Sequence, residues 1–437
     1  MKKIITKVGN IEIGGNNPLV IQSMCNTPTA NIEASVEQCR ALYRAGADIV
    51  RLTTQGMKEV MALAEIKKVL RSEGIYMPLV ADIHFSPDIA HEAAKVADKV
   101  RINPGNFSKD KSVAISKFST LTKICKDHGT AIRIGVNHGS LDPVMVEKYG
   151  NTPLGMMHSA LEWIELAESF DFQQIVVSLK ASNTLVMSEA YTLLYNEMSK
   201  REVIYPLHLG VTEAGNGDMG RLKSAVGTSA LLRSGIGSTI RVSLTESPIN
   251  EIPVAIHIKE FHESKKSNLI SSNNYVINEN SWEKFIIEAA CEIGPKLLFR
   301  EIDDFNLSHP DALFAEDRIN ELKDMILQAS RRKFTKPEYI ACPGCGRTLF
   351  NLESAFEEVK RRTSHLKGLN IAVMGCVVNG PGEMADADYG YVGEGRNMVS
   401  IYRGKTPVFR SVPQEEAIDV LLKLIDDDSN NQKPNNL

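Results

Sequence analysis

Three cysteines near the C-terminus carry the most specific chemical signal. Cys342-Pro-Gly-Cys345 puts two thiols on one tight loop, and Cys376 opens a second loop, Gly375-Cys-Val-Val-Asn-Gly-Pro-Gly-Glu383. Two thiolates at this spacing serve zinc and iron–sulfur sites alike. The chain has no second C-x-x-C, so a zinc ribbon is incomplete, and His365 falls in a polar stretch at a helix end. Three thiolates therefore leave a fourth position open. Glu383 could swing back across Asn379-Gly380-Pro-Gly to fill it. A carboxylate holds a cluster less firmly than a thiolate, so that corner would open more easily, which suits a cluster that meets substrate. Cys25 is a rival fourth ligand. On spacing alone an iron–sulfur cluster ranks first, zinc second and plain thiols third. Cys39, Cys125 and Cys291 sit at apolar helical positions and read as core. Seven cysteines, an odd number in a long chain, do not describe a disulfide scaffold, and a reducing cytoplasm is expected.

The second signal is a set of polar residues at the ends of short β-branched runs. Gln22 and Ser23 end the first run, Arg51 and Thr53 the second, and Asp82 and His84 the third. Arg101 and Asn103 follow, then Arg133 and Asn137, then Ser178, Lys180 and Ser182. His208, Thr212 and Glu213 come next, and Arg241 and Ser243 close the series. Arg51, Arg101, Arg133, Lys180 and Arg241 are cations. Gathered in one concavity they would repel each other without an anion. Guanidinium forks match phosphate oxygens two at a time, so the set predicts a polyanionic small molecule, most simply a diphosphate. The alternative is that each cation pairs with a carboxylate on a neighbouring strand, for which Asp82 and Glu213 are the obvious partners. Beside an anion site, His84 and His208 become candidate proton donors.

The elements that must position these residues are legible in the hydrophobic pattern. Eight runs stand out: Leu19–Met24, Ala47–Thr53, Pro78–His84, Lys99–Pro104, Ala131–Asn137, Gln174–Ala181, Pro206–Thr212 and Thr239–Thr245. Helical patterns such as Asn31–Arg44, Leu154–Phe170 and Ser188–Lys200 separate them. Such alternation means a mostly parallel sheet, and eight units fit a (β/α)8 TIM barrel with the polar residues at its mouth. A doubly wound sheet is the runner-up. Ile4–Gly15 reads as a hairpin that plugs the barrel floor. Pro248–Glu263 reads as a closing helix, so the barrel is assigned residues 1–263.

Residues 264–335 read as a polar linker followed by a short helical insertion of unknown role, with helices at Trp282–Ala290 and Ala315–Ala329. Residues 336–426 form a C-terminal α/β domain carrying the three cysteines. Its expected elements are a helix at Leu352–Thr363, strands at Leu369–Met374, Tyr389–Val392 and Met398–Tyr402, and a helix at Gln414–Leu424. The acidic, Asn-rich segment beyond, residues 427–437, reads as a disordered tail. Lys and Arg number 50 against 54 Asp and Glu, a net charge of −4, which argues against a general nucleic-acid or anionic-membrane binder. No apolar run reaches membrane-spanning length, and no h-region follows Met1-Lys-Lys-Ile-Ile.

These motifs, in this order, resemble the 4-hydroxy-3-methylbut-2-enyl diphosphate synthase family. The resemblance runs through Gln22-Ser-Met, Gly46-Ala-Asp-Ile-Val-Arg51, Ala81-Asp-Ile-His-Phe85, Arg101-Ile-Asn-Pro-Gly-Asn106 and Arg133-Ile-Gly-Val-Asn137. It continues through Ser178-Leu-Lys-Ala-Ser182, Pro206-Leu-His-Leu-Gly-Val-Thr-Glu-Ala-Gly215 and Arg241-Val-Ser-Leu, and ends in the two cysteine loops. It implies a [4Fe–4S] cluster held by Cys342, Cys345, Cys376 and Glu383. It implies reductive opening of methylerythritol cyclodiphosphate with electrons from reduced flavodoxin or ferredoxin. By the same resemblance Arg51, Arg101, Arg133, Lys180 and Arg241 grip the diphosphate, and Glu213 is the proton source. His208, Asn137 and Ser243 place the substrate, while Asn379 and Gly380 close from the cluster domain. Asp82, His84 and Thr212 complete the expected binding set, with His208 counted beside Glu213 as catalytic. A homodimer is expected. Cys25 departs from the family pattern, where a Thr is expected. The insertion is intermediate in length between the family's two forms, so completion of the site within one chain or across a dimer is open. A pterin-type transferase barrel and a zinc-stabilised binding module are the competing readings.

Overall fold

Eight parallel strands close around one axis in the computed structural model. It describes residues 1–83, 86–264, 269–271, 273–348, 350–377, 382, 384 and 386–431. The strands are β1 (Val20–Met24), β2 (Ile49–Thr54), β3 (Leu79–Ile83), β4 (Lys99–Ile102), β5 (Ala131–Asn137), β6 (Ile175–Lys180), β7 (His208–Leu209) and β8 (Thr239–Ile240). Their hydrogen-bonded order is β7-β8-β1-β2-β3-β4-β5-β6, and a bridge between Val177 and Leu207 joins the two ends. This is a (β/α)8 barrel. Every residue of β1 to β6 is buried, which explains why the runs read as continuously apolar rather than alternating.

Helix starts follow from side-chain caps. Asn31 accepts from Ala34 N, Thr152 from Gly155 N, and Asn183 from Leu185 N and Val186 N, which satisfies otherwise orphaned first-turn amides. Strands β7 and β8 are shorter than the runs that announce them. Gly210 sits at φ +151°, and a Cβ there would stand 2.3 Å from the carbonyl oxygen of Arg241. The backbone past β7 is thus pressed against the chain leaving β8, in a conformation only glycine adopts freely.

The N-terminal hairpin pairs Ile5–Val8 with Ile11–Gly14. Its Val8 and Ile13 pack against Val20, Ile49, Val80, Ala131 and Val176, each the first or second residue of its strand. The hairpin therefore seals the floor and leaves the C-terminal ends as the mouth. The barrel's last helix runs from Glu251 to Ser264 behind a 3-10 turn at Pro248–Asn250.

The insertion is packed rather than linker-like. It contributes a small sheet of Leu269–Ser271, Asn274–Val276 and Asn306–Ser308, and helices Trp282–Leu298 and Glu316–Ala329. The first helix is two turns longer than its pattern suggests, with Pro295 inside it. Phe285, Ile286, Ala289, Ala290, Ile293 and Leu297 join the barrel's own hydrophobic core.

The C-terminal domain holds a five-stranded sheet in sequence order: β9 (Glu338–Ala341), β10 (Asn370–Met374), β11 (Tyr389–Gly395), β12 (Met398–Arg403) and β13 (Thr406–Pro413). The first three run parallel and the last two antiparallel. Strand β13 has no expected counterpart, because this edge strand is largely exposed and shows no buried alternation. The disordered tail needs correction at residues 427–431, while residues 432–437 lie outside the described residues. The final helix spans Gln414–Asn431; Leu424 and Ile425 are buried, and Asp428 accepts from Tyr389 Oη at 3.0 Å and from Arg403. Among the described residues, no helix is long and apolar enough to cross a membrane.

Candidate active site

The mouth of the barrel and the cysteine loops enclose one cavity within a single chain. Arg51, Asp82, Arg101, Arg133, Asn137, Lys180, Thr212, Glu213, Arg241 and Ser243 line it from the barrel. Cys342, Cys345 and Cys376 line it from the C-terminal domain. For these groups, one chain brings both halves together in this structure.

Backbone contacts hold the halves in place. Ala214 bridges to Ala341, and Ala341 N donates to Glu213 O at 3.3 Å. Thr245 Oγ1 donates to the carbonyls of Ala341 and Cys342 at 3.2 and 3.1 Å. The Cys342–Cys345 loop lies directly on the loop after β1. A Cβ on Gly346 would meet Thr53 Oγ1 at 2.6 Å and Thr27 O at 2.9 Å, so only glycine allows this approach.

Among the described residues, charge in the mouth is unbalanced. Asp82 is shared by three guanidinium groups, with Arg51 at 3.6 Å, Arg101 at 3.5 Å and Arg347 at 3.7 Å. Arg241 lies 3.5 Å from Glu251. Arg133 and Lys180 make no ion pair among the described residues, and Arg133 Nε and Nη1 have no hydrogen-bond partner there. The simple alternative of one carboxylate per cation therefore fails. Burial, partly offset by Asp82, and repulsion from Arg241, Arg101 and Arg347 bring Arg51 down to about 10. Burial and neighbouring cations also push Arg133 and Lys180 well below their ordinary values. A bound anion would reverse this cost.

Glu213 is buried at the seam, at the left-handed φ of +50°. Thr212 Oγ1 donates to its Oε1 at 2.7 Å. Such a conformation is costly for a non-glycine residue, and both neighbouring loops hold it there.

The thiols fit an iron–sulfur group. Burial pushes Cys342 well above its ordinary value, and the charges of Cys345, Glu213 and Cys376 push the same way, against the Gly375 amide. That amide donates to Cys342 Sγ at 3.2 Å. Three neighbouring thiols become thiolates together only when a cationic centre neutralises them. Cys25 is not among the lining residues. It is fully buried, with its Sγ 3.6 Å from Cys39 Sγ, which removes it as the rival ligand. His84, Asn379, Gly380 and Glu383 lie outside the described residues, so the fourth ligand has no geometry here.

His208 stands apart from the other expected mouth residues. It does not line the cavity. It is wholly buried below the mouth, with Nδ1 3.2 Å from Thr239 Oγ1, and burial together with Lys180, Arg133, Lys99 and Arg51 disfavours its protonation.

Sequence reasoning missed Arg347, Glu251 and Met24. Arg347 stands two residues past Cys345, and a permanent cation in a ligand loop was its available signal. Glu251 opens the closing helix and also accepts from Leu244 N at 3.0 Å. Met24 offers its sulfur to Arg51 Nη2 at 2.9 Å.

Comparison with known proteins agrees with this layout. The family model described as the GcpE TIM-barrel domain matches residues 3–256, and that of the GcpE protein C-terminal domain matches residues 338–427. A 4-hydroxy-3-methylbut-2-en-1-yl diphosphate synthase (flavodoxin) from Phocaeicola vulgatus is 36% identical over 590 aligned positions, covering 96% of each chain. Its ferredoxin-named counterpart from Prochlorococcus marinus is 43% identical over 439 positions, covering 96% of this chain and 91% of the relative. The first alignment includes a long stretch that this chain lacks, and the second nothing of that size. Among solved structures, a dihydropteroate synthase from Xanthomonas albilineans matches at 12% identity and a TM-score of 0.42, covering 60% of this chain and 98% of that one. A likeness of that size carries no functional argument.

Proposed function

Because this chain belongs to the GcpE family of 4-hydroxy-3-methylbut-2-enyl diphosphate synthases, we propose that it performs their reductive step in isoprenoid precursor synthesis. It takes 2-C-methyl-D-erythritol 2,4-cyclodiphosphate, two electrons and two protons. One ring C–O bond opens, one oxygen leaves as water, and the product is 4-hydroxy-3-methylbut-2-enyl diphosphate. The electrons come from a reduced flavodoxin or ferredoxin, as the relatives' names indicate.

The observation that carries this reading is the single cavity shared by unmatched cations and three thiols. Cys342, Cys345 and Cys376, with Glu383 as fourth ligand, would hold a [4Fe–4S] cluster. When bound, that group supplies electron transfer and a Lewis-acidic iron. The chain's own residues do the rest. Arg51, Arg101, Arg133, Lys180 and Arg241 bind the diphosphate by charge-assisted hydrogen bonds. Arg347 adds a sixth cation from the cluster domain. Asp82 keeps three of these guanidinium groups aligned before substrate arrives, so less order is lost on binding. Asn137 and Ser243 orient the ligand by neutral hydrogen bonds. Glu213 gives a proton to the departing oxygen, and the Thr212 hydroxyl holds its carboxyl in place. His84, Asn379 and Gly380 keep the binding roles that the family resemblance assigns.

A pterin transferase would leave the thiols without use, and a zinc-stabilised module would leave the cations without use. The homodimer and the cytoplasm remain proposals, and neither is needed to bring the thiols to the mouth. The test is anaerobic purification followed by iron and sulfide analysis, then turnover with reduced flavodoxin or ferredoxin. About four iron and four sulfide per chain, with formation of the allylic diphosphate alcohol, is the expected result. Zinc without sulfide after attempted reconstitution, or no product from the cluster-loaded protein, would overturn the reading.

A further inference from the structure

Away from the mouth, three potential ligands converge from three segments. His257 lies on the barrel's last helix, Glu288 lies on the insertion helix Trp282–Leu298, and Glu279 lies on the connection before that helix. One ligand atom from each lies within 4.8 Å of the other two. His257 Nε2 is 4.0 Å from Glu288 Oε2, too long for a hydrogen bond. Glu260 Oε2 stands at the same distance from Nδ1. Among the described residues, Lys284 is the cation that acts on this imidazole alongside the three carboxylates.

His257 is 8% exposed, and neither ring nitrogen has a hydrogen-bond partner among the described residues. Two idle nitrogens on a buried imidazole are costly. Glu288, at 2% exposure, adds a carboxylate to the same enclosed space. Neutral imidazole always presents one lone pair, and a metal ion is the acceptor that would use it beside two carboxylates. The other nitrogen would then donate outward, toward Glu260, whose carboxylate stands 4.0 Å away and must close in to accept it.

We propose that His257, Glu279 and Glu288 bind one divalent transition-metal ion of the zinc or manganese type. One imidazole nitrogen with two carboxylates suits these ions better than magnesium or calcium, which prefer an all-oxygen shell. Ligand atoms around one tetrahedral ion stand roughly 3.4 Å apart, so closing the site takes side-chain movements of about an ångström. The ion ties the insertion to the barrel at a point the reductive chemistry does not use. The proposal stands apart from the assigned reaction, and either can fail alone.

The test uses anaerobically purified protein carrying its cluster, dialysed against EDTA and then titrated with Mn²⁺ or Zn²⁺. One ion per chain beyond the iron is expected, seen as loss of the free Mn²⁺ resonance signal and as a rise in unfolding temperature. His257→Gln and Glu279→Gln should each weaken uptake at least about tenfold, with iron, sulfide and turnover unchanged. Glu279 is only partly buried, so its variant remains informative if His257→Gln folds poorly. No uptake beyond the iron, or equal uptake by both variants, would overturn the site.

Discussion

Two regions of this molecule bury charge, and they do so on opposite terms. In the mouth, among the described residues, Arg51, Arg101, Arg133, Lys180, Arg241 and Arg347 face Asp82, Glu213 and Glu251 as the carboxylates. At the seam between barrel, insertion and C-terminal domain, Lys223, Arg331 and Arg221 each have a close carboxylate. Lys223 lies 3.1 Å from Glu338, which also pairs with Arg331, while Arg221 holds Glu246 at 2.8 Å and Glu283 at 3.2 Å. The titration behaviour follows. Burial and crowding lower Arg51, Arg133 and Lys180 in the mouth. At the seam, burial pushes Glu338 up, but Lys223 and Arg331 together hold it below its ordinary value. Matched charge joins parts of a structure. Unmatched buried charge is prepared for something that arrives from outside.

Glu213 belongs to both regions, since its side chain faces the mouth and its carbonyl takes the Ala341 amide. Changing the side chain alone separates the two roles. Glu213→Gln should lower turnover by roughly 10² to 10⁴ while iron, sulfide and unfolding temperature stay as in the parent. Normal turnover would remove Glu213 from the mechanism.

Arg133→Ala tests the unmatched side of the comparison. It should reduce kcat/KM by about 100-fold, mostly through substrate binding, because a desolvated phosphate loses a charged partner. The substrate-free protein should unfold at the same temperature or slightly higher, since a repulsion is relieved. A large drop in unfolding temperature with intact substrate binding would reverse the assignment.

Glu338→Gln tests the matched side, and the expected pattern inverts. Leaving Lys223 buried without its carboxylate should cost about 3 kcal/mol in denaturant unfolding, with KM little changed. A silent substitution would mean that the seam rests on backbone contacts alone.

The smallest effect is the acid limb of stability. Glu338 titrates below its ordinary 4.5 in the folded chain, so its contribution is complete above that pH and fades as pH falls through the folded value. The stability difference between parent and Glu338→Gln should therefore be constant near neutrality and shrink below about pH 4.5. A difference that grew on acidification would show the sign to be wrong.

Most of the barrel mouth is legible in the amino-acid sequence. In a parallel barrel the polar residues at strand ends must converge, so Arg51, Arg101, Arg133, Lys180 and Arg241 group together from their places in eight short runs. Three features are not legible in that way. His208 sits in β7 like a mouth residue, yet its ring lies below the cavity, because where each strand stands along the axis is not readable from its own residues. Cys25 follows β1 as a mouth residue should, but its thiol turns to Cys39. Strand β13 leaves no signal because an exposed edge strand has no buried face to impose a period on the sequence.

The features that the chain specifies unaided are local and periodic. Apolar runs, helix caps and the C-x-x-C loop each depend on residues close along the chain, and their physics needs no distant partner. The tertiary structure alone decided which groups answer one another. Asp82 serves Arg51, Arg101 and Arg347; Glu251 stands under Arg241; and the thiols close over the mouth of their own chain. These pairings depend on how barrel, insertion and C-terminal domain dock across hundreds of residues. Electrostatic energy depends on distance in space, and no spacing along the chain encodes that distance.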